Sequence, residues 1–256
     1  MTELKIISNL EDEDARREDT ELSKSLGKYF NTSVVDLFDD SIFSSQSVFL
    51  IRNVWGRTDS PERMKKIYES LSEGNIAYLN RFDGKGDQKG KRYLIELYKD
   101  YPHQVVPTYN NVVEVLTCGF VEYLLKPIYG GSGKGIIHVS AENLTKLFDD
   151  QKYLIQPKLD FGSELSLFFV DDTFQYALKT KNERWDLELY TPTQDELNTA
   201  ELFVRWNPIR GIQRIDFLKT KDNHSLLLEI EDWCPYLSLG DVKNIPVDQF
   251  VKSIAE

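Results

Sequence analysis

The sequence predicts a mixed α/β (α+β) chain: a small N-terminal α/β unit with a partly parallel sheet, followed by a larger region of antiparallel sheet. Three observations carry that reading. Short apolar runs bracket a helical period in the first 79 residues, extended runs separated by turn residues dominate the remainder, and 41% hydrophobic residues among 256 are enough to bury one large core or two modest ones.

Taken in order, residues 4–8, 34–38 and 48–51 read as short buried strands. Met64, Ile67, Tyr68 and Leu71 recur at i, i+3, i+4, i+7, the spacing of one helix face. Strand, helix, strand at this length makes a unit of residues 1–79. Its acidic run EDEDARRED, residues 11–19, reads as a solvated helix or loop. Residues 80–90, NRFDGKGDQKG, are rich in Gly, Asp and Lys and read as a loop or crossover rather than a packed element. A short helix with Leu94, Leu97 and Tyr98 on its apolar face closes at Pro102. Extended runs then fall at 122–127, 135–139, 153–156, 165–170, 174–180, 212–219 and 226–231, with an amphipathic helix near 197–206.

Charge and cysteine usage exclude several classes. With 31 basic against 42 acidic side chains the net charge is −11, and no Lys/Arg block supplies the dense basic face that phosphate-driven nucleic-acid binding needs. Cys118 and Cys234 lie far apart and His103, His138 and His224 are scattered, which suggests neither a disulfide framework nor a zinc site. The acidic N-terminus lacks the pattern of a secretory signal, and no apolar stretch approaches the roughly 20 residues that span a bilayer. The expectation is a cytoplasmic protein with no membrane partner and reduced thiols.

Two segments carry chemistry. In LLKPIYGGSGKGI, residues 124–136, a strand ends at Lys126-Pro127 and four glycines follow within six residues. Glycines let backbone N–H groups turn toward an anion, and Lys126 and Lys134 add positive charge, so the segment reads as a phosphate cradle or, more plainly, a flexible hairpin tip. It is not a Walker A loop, because Ile128 and Gly135 stand where that motif needs Gly and Ser or Thr. The second segment is IQRIDFLKTKDNHSLLLEIE, residues 212–231. A two-residue turn at Asp222-Asn223 sets Asp216 opposite Glu229 and Arg214 opposite Glu231 on one face, with Ile215, Phe217, Leu228 and Ile230 on the other. Facing carboxylates repel unless Arg214 or a cation compensates, and oxygen-only ligands suit Mg²⁺. The plain alternative is a solvated polar face.

Together these segments resemble the ATP-grasp ligases, nearest to the glutathione-synthetase-like group that includes the cycloserine-forming ligase. Weaker matches follow in the same order: LIRNVWGRTDSPERMKKIYESL, NRFDGKGDQKGKRYLIEL, VVPTY and YLIQPKLDFGSELSLFFVDDTFQYALKTK. The resemblance implies a two-subdomain ATP-grasp fold with antiparallel sheets over residues 80–152 and 153–256. It implies that Lys91 and Lys126 contact nucleotide phosphates under a mobile loop of Gly130, Gly131, Ser132, Gly133 and Gly135. Gln156, Pro157, Lys158 and Leu159 would form the adenine hinge, Glu164 would hold the ribose and Lys179 would reach the phosphate end. Asp216, Glu229 and Glu231 match metal positions, and Arg214 matches the arginine facing the reacting phosphate, so Arg214 and Lys179 are the expected catalytic pair.

The implied activity is an ADP-forming carboxylate–amine ligase using ATP and Mg²⁺, as one or two ions with Mn²⁺ as a substitute, through an acyl phosphate. Its partners would be a small-molecule or peptide carboxylate and an amine acceptor, with a homodimer left open. A small-molecule kinase and a non-catalytic nucleotide-binding module are the alternatives. One departure concerns the acceptor side: many family members carry Glu-x-Asn then Pro-Gly, whereas this chain has Glu229-Ile230-Glu231 then Cys234-Pro235-Tyr236. Read singly, Lys91 is also a plausible surface lysine, Glu164 and Lys179 a cross-strand pair about Asp171-Asp172, His138 a structural strand residue, and the four tryptophans core or interface aromatics.

Overall fold

A computed structural model describes all residues except 45–46, 55–59, 132 and 182–184, so Ser132 and Trp55 lie outside the described residues. Four strands, β1 (Glu3–Ser8), β2 (Asn31–Asp36), β3 (Val48–Ile51) and β4 (Tyr78–Leu79), form a parallel sheet ordered β2-β1-β3-β4. Parallel strands need long crossovers, and α1 (Glu13–Leu26) and α2 (Ser60–Glu73) supply two of them. The helix α1 starts where Asp12 accepts the Ala15 N–H. It is not a solvated acidic segment: Ala15, Glu18, Asp19, Leu22 and Leu26 form its buried face, with Glu18 2% and Asp19 0% exposed.

Residues 80–92 cross to the next layer and are packed rather than loose. Gly84 and Gly86 lie buried against the Asp232 carboxylate, where a Cβ on Gly84 would stand 2.1 Å from Asp232 Oδ2. That close approach, not mobility, explains these glycines. Helices α3 (Tyr93–Asp100) and α4 (Val112–Leu116) lead to β5 (Glu122–Pro127), β6 (Ile137–Ser140), α5 (Ala141–Leu147) and β7 (Tyr153–Pro157). These strands form an antiparallel sheet ordered β6-β5-β7, so residues 153–157 pair with β5 rather than with the strands that follow a boundary at 152/153. Tyr123, Leu125 and Ile155 pack on one face against Val115 and Leu144, while Lys126 and Gln156 belong to the other. His138, expected to be structural, is exposed on the edge strand β6, because the edge alternates a core-facing with a solvent-facing residue.

The third sheet is antiparallel in the order β10-β9-β8-β11-β12, built from β8 (Phe161–Val170), β9 (Thr173–Thr180), β10 (Leu187–Tyr190), β11 (Ile212–Thr220) and β12 (Ser225–Glu231). The helix α6 (Gln194–Trp206), opened by a Thr193/Glu196 capping box, covers one face through Ala200, Phe203 and Val204 on Leu165, Leu167 and Phe217. On the opposite face α7 (Val247–Ala255) packs Phe250, Val251 and Ile254 with Tyr176, Ile212 and Leu4, joining this sheet to the first. The rest of that face carries the polar residues considered below. Among the described residues no helix is long and apolar enough to cross a membrane.

The β11–β12 hairpin has the expected pairings by a different route. Thr220 and His224 close a three-residue tip with Asn223 at φ 72°, not a two-residue turn. A bulge beside Asp216/Phe217 then removes the offset, restoring Asp216 opposite Glu229 and Arg214 opposite Glu231. Between tip and bulge the parity is inverted, so Leu227 rather than Leu228 joins Ile215, Phe217 and Ile230 in the core.

Candidate functional site

The site lies where the Lys126 face of the second sheet meets the polar face of the third. Lys126, at the end of β5, is drawn to β12: its Nζ is 3.0 Å from Glu229 Oε2 and donates to the Leu228 carbonyl at 3.2 Å. The bulge frees that carbonyl. Lys91 comes from the start of α3, tied by its N–H to the Ile128 carbonyl at 2.9 Å, and its Nζ also lies 3.0 Å from Glu229 Oε2. It pairs with Asp87 as well. Lys91 is 3% exposed, which removes the surface-lysine reading. Tyr93 ties the strand to the crossover, its hydroxyl accepting the Ile230 N–H at 2.6 Å and donating to Asp87 at 2.9 Å.

Burial alone would raise the Glu229 carboxyl, but Lys126 and Lys91 outweigh it and hold the group well below the ordinary range. Burial pushes Lys91 down against the pull of Glu229. With Asp87 also on Lys91, the two ammonium groups are matched by two carboxylates facing the space between the sheets.

A second cluster adjoins it on β11. Arg214 forks Asp216 through Nε at 2.8 Å and Nη2 at 2.8 Å, reaches Glu231 Oε2 at 3.0 Å, and donates Nη1 to the Tyr236 carbonyl at 3.2 Å. Ser166 on β8 donates to Asp216 at 2.7 Å, since β8 residue 166 is opposite β11 residue 216. Burial opposes the Arg214 charge, yet Asp216 and Glu231 together raise its pKa. Glu231 is pushed up to about 7 by burial against the pull of Arg214, with Glu229 and Asp216 adding repulsion.

Glu164, Ser166, Arg214, Asp216 and Glu229 line one recess. The glycine loop comes near Glu231: Gly130, Gly133 and Gly135 have φ of 129°, 69° and 78°, and a Cβ on Gly131 would lie 4.0 Å from Glu231 Oε1. Gln156 is on the Lys126 face, buried, with Nε2 on Thr108 Oγ1 at 3.0 Å. Pro157 ends β7, Leu159 is half-buried, and Lys158 is exposed and paired with Glu122 at 2.9 Å.

Lys179 is not brought to this site. A bulge between Phe168 and Phe169 shifts β9 so that Lys179 pairs with Leu165 rather than Glu164, on the face that holds Ala177. Its ammonium lies 5.7 Å from the Tyr190 ring centroid, while Leu178 and Thr180 line the recess in its place. Trp233 is a core aromatic as expected, but Trp185 is 64% exposed and lines the recess.

Asp216, Glu229 and Glu231 are all hard oxygen donors of the kind Mg²⁺ takes. In their present pairings each is held by Lys or Arg, and among the described residues no group of three or more His, Cys, Asp or Glu is set to hold a metal. The donor chemistry fits the ion on condition that the lysines and Arg214 turn to phosphate.

Sequence reasoning missed Asp87, Tyr93, Ser166 and Asp232. Asp232 accepts the N–H groups of Gly86 at 2.9 Å and Gln88 at 3.0 Å and the Asn207 amide at 3.1 Å, fixing the crossover that delivers Lys91. The GKG spacing was its signal. Two small residues flanking one position mark a close approach.

A small parallel α/β layer followed by two antiparallel sheets that face each other across lysines and carboxylates defines an ATP-grasp fold. D-cycloserine synthetase DcsG superposes with a TM-score of 0.76 at 16% identity, covering 99% of this chain and 98% of that one. The ATP-grasp ligase PsnB, complexed with a minimal precursor, gives 0.71 at 13% identity over 99% of each chain. D-alanine–D-alanine ligase from Bacillus anthracis gives 0.69 at 13% identity over 99% and 96%. No family model matches the sequence, and no curated protein matches it.

Proposed function

We propose that the protein is an ATP- and Mg²⁺-dependent carboxylate–amine ligase that releases ADP and forms an amide. The observation that carries this reading is the meeting of Lys91 and Lys126 on Glu229, beside Arg214 on Asp216 and Glu231. That arrangement stores three cations at the place where phosphoryl charge would spread, each exchangeable because its present partner is a carboxylate that a metal can take over. Lys91 and Lys126 hold the phosphates, Gln156 to Leu159 face the base and Glu164 faces the ribose. Arg214 meets the transferring phosphoryl group. Residues 130–135 close over it and exclude water, which an acyl phosphate requires. Bound at Asp216, Glu229 and Glu231, Mg²⁺ supplies charge neutralisation for the phosphates. We assign one or two ions, with Mn²⁺ as a substitute.

The structures similar to this one include a ligase complexed with a precursor peptide and a D-alanine–D-alanine ligase. We therefore assign a small-molecule or peptide carboxylate and an amine acceptor as substrates, in a cytoplasmic setting. Thermal unfolding with Mg-ATP tests the nucleotide site first. Ligand at about 100 times its dissociation constant adds roughly 2.7 kcal/mol, about 5 to 10 °C for a chain of this size. Lys126→Ala should abolish that shift. An acceptor panel read by ADP release then separates the readings: a ligase gives free phosphate and an amide, a kinase gives a phosphorylated product, and a binding module gives neither.

A further inference from the structure

The first sheet and α1 contribute a second buried charge cluster, outside the site described above. Arg52, at the end of the apolar strand β3, is fully buried and donates Nε to Asp19 at 3.2 Å, Nη2 to Glu18 at 2.8 Å and Nη1 to the Pro235 carbonyl at 2.9 Å. Glu18 Oε1 accepts the N–H groups of both Leu237 and Ser238 at 2.7 Å. Cys234 Sγ donates to the Arg52 carbonyl at 2.8 Å, and the Tyr176 hydroxyl donates to the Leu237 carbonyl at 2.8 Å. Apart from the two ion pairs of Arg52 with Asp19 and Glu18, every one of these bonds ends on residues 234–238, the segment that contains Cys234-Pro235-Tyr236. The same segment presents the Tyr236 carbonyl to Arg214 at 3.2 Å.

Two arginines thus grip adjacent carbonyls of one loop, Pro235 by Arg52 and Tyr236 by Arg214. We propose that Glu18 and Arg52 are positioning residues for Arg214: they clamp residues 234–238 so that the Tyr236 carbonyl fixes the guanidinium plane against Asp216 and Glu231. A fork held on two carboxylates alone can still swing about its long side chain. A third acceptor behind it sets the plane, and small errors in plane are costly where charge develops. The N-terminal unit is then part of the catalytic apparatus without touching substrate. This inference rests on the ligase reading only for its kinetic consequence.

Two conservative variants test it, Glu18→Gln and Arg52→Lys, with Glu21→Gln on the exposed side of α1 as the reference. Arginine Nε–H signals in ¹H–¹⁵N spectra, assigned with Arg214→Lys, report the guanidinium directly and need no substrate. The Arg214 signal should move or broaden in both variants and stay in place in the reference. Wherever an acceptor has been found, kcat for ADP release should fall at least about tenfold while KM for Mg-ATP stays within about threefold, since Lys91 and Lys126 are untouched. An Arg214 signal unmoved in either folded variant overturns the proposal. Hydrogen exchange on the unmodified chain decides independently of folding: the Leu237 and Ser238 amides should exchange with the slow core, and loop-like exchange also overturns it. Absence of ADP release with every acceptor would count against the ligase reading alone, because the signal and exchange measurements stand without it.

Discussion

Arg52 and Arg214 are built alike and placed differently. Each forks two carboxylates and donates to a carbonyl of the same loop. Around Arg52 the side chains are 0% exposed for the arginine, 1% for Glu18 and 0% for Asp19, whereas Arg214 keeps 15%, Asp216 8% and Glu231 20%. A closed cluster can only hold its partners, because nothing can enter to exchange with them. An open one can trade a carboxylate for a phosphate oxygen and a guanidinium for a metal. Exposure, not composition, separates the two ion-pair clusters here.

The comparison breaks first at stability. Arg52→Met leaves Glu18 and Asp19 buried without a cation and should cost about 3–5 kcal/mol by denaturant unfolding. Arg214→Met should cost less, because Glu231 keeps 20% of its side chain exposed and Asp216 keeps the Ser166 hydroxyl as a donor, but should lower turnover by about 10²–10³. Equal stability losses at the two sites would erase the distinction.

A second test uses pH. Burial pushes Glu18 up to about 7, from 4.5, although Arg52, Asn53 and the Leu237 N–H pull the other way. The folded state then keeps a proton that the unfolded state has lost, so stability declines as pH rises from about 4.5 to about 7, is level above, and is greatest below the unfolded pKa. The full span is about 3 kcal/mol. Glu231 is pushed up over the same range, so Glu18→Gln should roughly halve the slope in the pH dependence of unfolding, and an unchanged slope would place the titration elsewhere.

Another buried carboxylate, Asp232, has neutral donors in place of arginine, and its anchor is a lack of side chain opposite. Gly84→Ala should cost about 1–3 kcal/mol by thermal unfolding, because the added Cβ would meet the carboxylate. The smallest effect belongs to Lys179→Ala, which should leave the Mg-ATP-dependent shift in Tm within about 1 °C of the unmodified chain. A lost shift would return Lys179 to the nucleotide site.

The sequence made the third sheet legible because its chemistry follows period-two geometry. Arg214, Asp216, Glu229 and Glu231 share a face whether the tip has two residues or three, since a bulge compensates the difference. A bulge without such compensation is what hid the true side of Lys179. Bulges carry no strong sequence mark, so parity can be counted only as far as the next one. The Arg52 cluster was hidden for another reason. Glu18 and Asp19 sit within an acidic run that composition alone assigns to solvent, yet Ala15, Leu22 and Leu26 repeat on the same helical face. An arginine directly following the run VFLI was the other half of the signal, because a charge at the end of a buried strand requires a partner.

The bulge beside Asp216 has one further consequence. It sets the exposed tip at residues 221–223 three strand pairs beyond the carboxylates, so a label or splice there would touch neither Asp216 nor Glu229. A fluorophore or a surface tether placed there would sit on the two strands that hold Arg214, Asp216, Glu229 and Glu231.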